Sequence, residues 1–163
     1  MQVILIDENL LKKVSVLLKE KKLKIATAES CTGGLIASTL TNISGSSDYF
    51  DRGVISYSNK AKTKLLGLTE NILKKYGAVS KQVAKIMAES IRTSSNVDIG
   101  VSTTGIAGPT GGTKQKPVGL VYIGISTSKQ TNIKKFKFSG NRLQNKELTC
   151  NAALKMILDN LKR

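Results

Sequence analysis

Residues 26–34 read Ala-Thr-Ala-Glu-Ser-Cys-Thr-Gly-Gly, a string that delivers the Ser30 hydroxyl and the Cys31 thiol from a strand into a glycine-opened helix. Either group can act as a nucleophile once a base removes its proton, and the commonest such base is an imidazole. None of the 163 residues is histidine. The base must therefore be a lysine, a carboxylate, a tyrosinate or the chain terminus, and a lysine is the expectation. The leading amides of the following helix, from Cys31 through Thr32 and Gly33 to Gly34, have no intrahelical acceptor and can cradle an anion or a developing oxyanion. The plainer alternative is that Ser30 or Thr32 simply caps that helix.

A second polar segment supplies the lysine. Ser56-Tyr57-Ser58-Asn59-Lys60-Ala61-Lys62 follows a β-branched stretch, and Asn59 is a good cap for a short helix through about residue 66. Lys62 then falls in the first turn, where the positive end of the helix dipole disfavours an ammonium and a partly desolvated amine can stay neutral. Lys60 and Lys64 read as solvated surface charges. Tyr57 is placed either to relay a proton or orient the amine, or to satisfy its own hydroxyl in a buried setting. A third segment, Thr103-Thr104-Gly105-Ile106-Ala107-Gly108-Pro109, ends another strand. Ligands of open α/β sheets gather outside the carboxyl ends of strands, so the three segments are expected to converge there.

The elements that must position these groups follow from periodicity. Leu10, Leu11, Val14, Leu17 and Leu18 give an amphipathic helix over residues 8–21, and residues 23–28 read as a buried strand. Gly33-Gly34 opens a second helix carrying Leu35, Ile36, Leu40 and Ile43, closed by the turn at residues 44–47. Residues 53–57 form a strand. Ser80 caps a longer helix with Val83, Ile86, Met87 and Ile91. Residues 97–103 are a strand feeding a loop, 105–119, that holds both prolines and five glycines. Residues 118–126 and 133–138 are neighbouring strands joined through 128–132, and residues 143–161 finish as a helix. Alternating early elements and adjoining late strands predict an α/β fold, a mixed, mostly parallel sheet covered by helices on both faces, within one domain over 1–163.

Composition narrows the partners. No run approaches the ~20 apolar residues of a membrane span, and the opening Met-Gln-Val-Ile-Leu-Ile-Asp lacks a basic leader, so a cytoplasmic location without membrane association is expected. Two cysteines and no histidine argue against a structural metal, and both are expected as reduced thiols, Cys150 as a small core residue. The formal charge of +15 invites a nucleic-acid reading. Only four of the 26 cations are arginines, at 52, 92, 142 and 163, and the lysines are spread without interleaved aromatics. A solvated basic surface that attracts small phosphorylated anions is therefore favoured over a nucleic-acid site.

Five strings in order along nearly the whole chain resemble the C-terminal domain of the CinA competence/damage-inducible family, including its stand-alone members that act as nicotinamide-nucleotide amidases. They are Thr27-Ala28-Glu29-Ser30-Cys31-Thr32-Gly33-Gly34, Tyr57-Ser58-Asn59 with Ala61-Lys62, Gly77-Ala78-Val79-Ser80, Gly105-Ile106-Ala107-Gly108-Pro109 with Gly111-Gly112, and Lys116-Pro117-Val118-Gly119. The resemblance implies a three-layer α/β/α domain, with Ser30 as nucleophile, Lys62 as base and Tyr57 as the neighbouring hydroxyl. It implies deamidation of nicotinamide mononucleotide to nicotinate mononucleotide and ammonia, a step in pyridine-nucleotide salvage, through an acyl-enzyme. The amides near Thr32 and Gly33 would hold the oxyanion. Cys31, Gly34, Thr104, Gly105, Ala107 and Gly108 would line the substrate, and Arg142 would meet its phosphate. Where the family tends to carry a second arginine four residues later, this chain has Lys146. No cofactor and no metal are implied.

Two competing readings accompany this one. Cys31 could serve as nucleophile with Lys62 and Glu29, following the Cys-Lys-Glu logic of nitrilase-like amidases. Alternatively, the chain is a non-catalytic nucleotide- or nucleic-acid-binding module. A symmetric homodimer is expected only because such dimers are common.

Overall fold

The structure is a computed structural model that describes residues 6–163; the opening string read above for a leader lies outside it up to residue 5. A sheet in the order β2-β1-β3-β4-β5 forms its centre. Its strands are β1 (Ile25–Glu29), β2 (Phe50–Ile55), β3 (Ile99–Gly105), β4 (Leu120–Ser126) and β5 (Thr131–Lys137). β1 pairs parallel with both β2 and β3, whereas the ladders of β4 with β3 and β5 are antiparallel. Four strands thus run one way and only β4 opposes them, which is the mixed sheet expected.

Helices cover both faces. On one lie α1 (Glu8–Glu20), α2 (Leu35–Leu40) and α6 (Arg142–Leu161), packed with Ile25, Val101, Ile123 and Ile125 in the larger core. On the other lie α3 (Asn59–Leu66), α4 (Glu70–Tyr76) and α5 (Lys81–Ser95), closed over Ala26 and Ala28. Side chains of β1 alternate between these two cores, so both faces of the strand are buried. α5 lies close on the sheet because Gly100 offers no Cβ, which would otherwise strike the Ala88 carbonyl, and Ser102 Oγ donates to Ala84 O at 2.6 Å. No helix among the described residues is long and apolar enough to cross a membrane.

Several elements differ from the sequence expectation. β2 covers Phe50–Ile55 rather than 53–57, because an edge strand exposed along most of its length carries Asp51 and Arg52 without needing an apolar pattern. α2 spans only six residues and stops well short of Ile43. Ser58, not Asn59, caps α3: Ser58 Oγ accepts from the Ala61 amide at 3.0 Å. α4 was not foreseen, since with Leu73 as its single buried residue it has no apolar stripe; Thr69, its cap, was the available signal. The remaining strands are shifted by about two residues, and α6 begins at Arg142 behind a capping box of Asn141 and Gln144.

Candidate active site

Three strand ends meet as expected. The Ser30 amide donates to Thr103 O at 3.0 Å, and the Ser56 amide donates to Glu29 O at 2.8 Å, which extends the β1 ladders one residue beyond each strand. Ser30, of even parity with Ala28, faces the α3 layer. From that layer Lys62 reaches back, and its Nζ donates to Ser30 Oγ at 2.9 Å, to Ser56 O at 2.8 Å and to Tyr57 O at 3.4 Å. Lys62 is 2% exposed and Ser30 7%. Burial pushes the amine below the ordinary lysine value, with the nearby Cys31 acting in the opposite direction. Desolvation, which the sequence reading invoked beside the helix dipole, leads this shift. Lys60 and Lys64 lie on the exposed side of the same helix, as expected.

The arrangement suits a neutral amine. The ammonium donates at all three contacts, whereas the neutral amine keeps two N–H bonds for the two carbonyls and turns its lone pair to the Ser30 hydroxyl. The Ser30 proton then has an acceptor within hydrogen-bond reach and in a nearly dry setting, the geometry required of a general base.

Glu29 corrects the picture of an open amide cradle. Its carboxylate is buried and accepts from the amides of Gly34 at 3.0 Å, Ile36 at 3.1 Å and Ala37 at 2.7 Å, and from Thr32 Oγ1 at 2.6 Å. Gly34, at φ 98°, is the cap residue of α2, and Glu29 fills that helix end with a fixed negative charge. Neither Ser30 nor Thr32 therefore caps the helix. The Gly33 amide is also committed, to Ser30 O at 3.1 Å. Of the four leading amides, those of Cys31 and Thr32 have no backbone acceptor among the described residues. Glu29 was legible only as part of a motif, since a carboxylate that caps the next helix leaves no periodic trace.

Tyr57 lies elsewhere than a relay would need. The residue is 58% exposed and its hydroxyl accepts from Arg142 Nη2 at 2.7 Å, while only its backbone carbonyl faces the amine. Arg142 Nη1 donates to Gly108 O at 2.7 Å, and Asn145 Nδ2 donates to Ala107 O at 2.9 Å, so α6 grips the loop after β3. Thr104 is buried and holds Ala78 O at 2.7 Å, which makes it a brace. A Cβ on Gly105 would collide with Leu120 O and Val121, so that glycine serves the approach of β4. A cavity of about 450 Å³ beside Arg142 is lined by Ala107, Pro109, Val118 and Leu143. A larger one, about 640 Å³, lies on the outer face of α3 around Lys60, Lys64 and Lys74, turned away from the dyad.

Cys31 is a poor nucleophile here. It packs in the larger core, and burial pushes its thiol up to about 12. With Glu29 committed to α2, the Cys-Lys-Glu alternative loses both its thiolate and its carboxylate. Cys150 is likewise buried, its thiol raised to about 12 by desolvation, and both cysteines are free.

Fold and site together define a three-layer α/β/α domain with a buried serine–lysine pair at the carboxyl end of β1, next to the sheet's edge strand. The chain belongs to the family of the CinA C-terminal domain, whose model matches residues 7–161. A Caldicellulosiruptor bescii protein named for competence-damage inducibility is 56% identical over 153 residues, 93% of this chain. A CinA-like protein of Syntrophus aciditrophicus is 51% identical over 152 residues. This chain spans 37% and 36% of those relatives' lengths. The crystal structure of the competence/damage inducible protein CihA from Agrobacterium tumefaciens superposes with a TM-score of 0.94 at 38% identity, with all of both chains covered.

Proposed function

We propose that this domain is an amidohydrolase that converts nicotinamide mononucleotide into nicotinate mononucleotide and ammonia through an acyl-enzyme on Ser30, a reaction of pyridine-nucleotide salvage. The observation that carries the reading is the 2.9 Å contact between Lys62 Nζ and Ser30 Oγ in an almost water-free setting. Ser30 Oγ attacks the carboxamide carbon while Lys62 takes its proton, and the amides of Cys31 and Thr32 receive the oxyanion. Lys62 then hands the proton to the departing nitrogen, which leaves as ammonia. Water, deprotonated by the same amine, attacks the ester and the proton returns to Ser30.

Phosphate recognition falls to α6. Arg142 and Lys146 stand one turn apart, and Lys146 Nζ lies 3.6 Å from where a Cβ on Gly33 would be, directly over the turn that follows Ser30. The guanidinium offers a fork and the ammonium a point charge, and a net charge of +15 draws an anionic substrate toward the surface.

Ammonia release from nicotinamide mononucleotide is the test. Turnover by the parent chain and a loss of about a thousand-fold or more in Ser30→Ala are expected, and full activity in that variant sinks the mechanism. The basic surface favours one second reading, a nucleotide- or nucleic-acid-binding module. Tight DNA binding that weakens steeply with salt, without turnover of any pyridine nucleotide, would select it.

A further inference from the structure

One polar group beside the dyad has no role in the steps above. Among the described residues two buried side-chain atoms lack a hydrogen-bond partner, Ser56 Oγ and Ser95 Oγ, and Ser56 belongs to the site. Ser56 is fully buried. Its amide is committed to Glu29 O and its carbonyl to Lys62 Nζ, both at 2.8 Å, so the residue bridges the strand that carries Ser30 and the amine that serves it. Its side chain is on the amine's side of the sheet. Ile55 faces α2, where a Cβ on Gly34 would come within 3.0 Å of it, and Val54 packs in the α3–α5 core. Alternation along the extended chain returns residue 56 to the side from which α3 delivers Lys62.

We propose that Ser56 is a positioning residue whose hydroxyl accepts the N–H that Lys62 gains on taking a proton, an inference that rests on the Ser30–Lys62 reading above. An ammonium has three N–H bonds to satisfy. Ser56 O is a close acceptor, whereas Tyr57 O at 3.4 Å is at the limit of a hydrogen bond. Once Ser30 Oγ is bonded to the substrate carbon, one N–H must turn to the leaving nitrogen, and the cation keeps a single strong acceptor. A rotation about the Cα–Cβ bond of Ser56 supplies another, on a residue whose carbonyl already holds the amine.

No neighbouring titratable group takes this role. The Glu29 carboxylate is bound to Thr32 and the α2 amides, and the Tyr57 hydroxyl to Arg142. The Cys31 thiol keeps its proton, and Lys146, above Gly33, carries the same charge as the ammonium.

The test titrates Lys62 directly, by NMR of protein labelled with ¹³C,¹⁵N-lysine, in the parent chain and in Ser56→Ala, Ser56→Cys and Ser56→Thr, with unfolding midpoints recorded alongside. An acceptor favours the charged form, so Ser56→Ala is expected to lower the Lys62 midpoint by about one pH unit, a tenfold change. Ser56→Cys, close in volume but a weak acceptor, should follow it, and Ser56→Thr, which keeps the hydroxyl, should return to the parent value. In ammonia release kcat should fall more than KM changes, with the pH–rate midpoint moving alike. Coincident Lys62 midpoints for Ala and parent overturn the proposal, as does a Thr variant that tracks Ala. Ammonia release by the parent chain judges the amidase reading separately: a Ser56→Ala midpoint shift without turnover would remove the reaction and still support this role.

Discussion

Arg142 Nη2 donates to the Tyr57 hydroxyl at 2.7 Å across 85 residues of sequence, and its other terminal nitrogen holds Gly108 O at the same distance. One guanidinium therefore ties together the segments that follow β2 and β3, with the Tyr57 ring swung outward. The tyrosine hydroxyl is part of the rim of the site, and only the Tyr57 carbonyl faces the Lys62 amine.

Tyr57→Phe is accordingly expected to keep kcat within about threefold, because it deletes one exposed hydrogen bond. Arg142→Ala should raise KM for a phosphorylated substrate by about ten- to a hundredfold with a smaller effect on kcat, since a charge-assisted contact to phosphate is made in ground and transition states alike. Steady-state kinetics on both variants checks this. A collapse of kcat in Tyr57→Phe would restore the tyrosine to the proton path.

The pH dependence follows from the amine. Only neutral Lys62 can accept the Ser30 proton, and burial lowers its pKa from the ordinary 10.5. Activity should rise with pH through one ionisation whose midpoint lies below that value, then level off. A rate profile flat from acid to alkaline conditions contradicts a lysine base.

The same shift has a stability consequence. Between the folded and unfolded pKa of Lys62 the unfolded chain holds a proton that the folded chain does not, so stability climbs with pH across that window. Below the folded pKa the burial penalty is present in full. Lys62→Met, which cannot titrate, should be more stable than the parent at neutral pH, with the gap closing toward pH 10.5. Denaturant unfolding at several pH values measures it, and a gap that widens with pH is the opposite of what burial dictates.

Both thiols should resist alkylation in the native state at neutral pH, because each is buried with a pKa near 12. Mass spectrometry after iodoacetamide should find Cys31 and Cys150 unmodified until the chain is unfolded. Fast native labelling of Cys31 would revive its claim as a nucleophile.

Glu29→Ala should be among the most damaging single changes. It strands three amides at the start of α2 and leaves the Thr32 hydroxyl with Thr103 Oγ1 alone, a loss of about 3–5 kcal/mol. Glu29→Gln keeps an acceptor and should lose less. Calorimetric unfolding of the two variants ranks them, and equal stability of Glu29→Ala and parent would dismiss the carboxylate as the α2 cap.

Much of this was present in the residues. The missing histidine and the polar ends of three strands left Ser30 or Cys31 as nucleophile and pointed to Lys62 as base, because nucleophile and base types are read directly and glycine-rich strand ends mark ligand-facing loops, and the family resemblance favoured Ser30. The sandwich also followed, since apolar period separates strand from helix wherever one face is buried. α4 escaped because a single buried leucine makes no period. The reach of β2 escaped because an edge strand is not required to alternate.

Sequence by itself settled which side chains were chemically capable, and the order in which the chain would supply them. The tertiary structure alone decided what each could still do once its neighbours had taken their share of hydrogen bonds. Glu29 turned from candidate catalyst to helix cap, Tyr57 from relay to rim, and Cys31 from nucleophile to core thiol. The physical reason is that a donor or acceptor is spent by its partner, and which partner it meets is fixed by the fold, whether Glu29 meets α2 eight residues on or Lys62 and Arg142 reach Ser30 and Tyr57 across 32 and 85 residues.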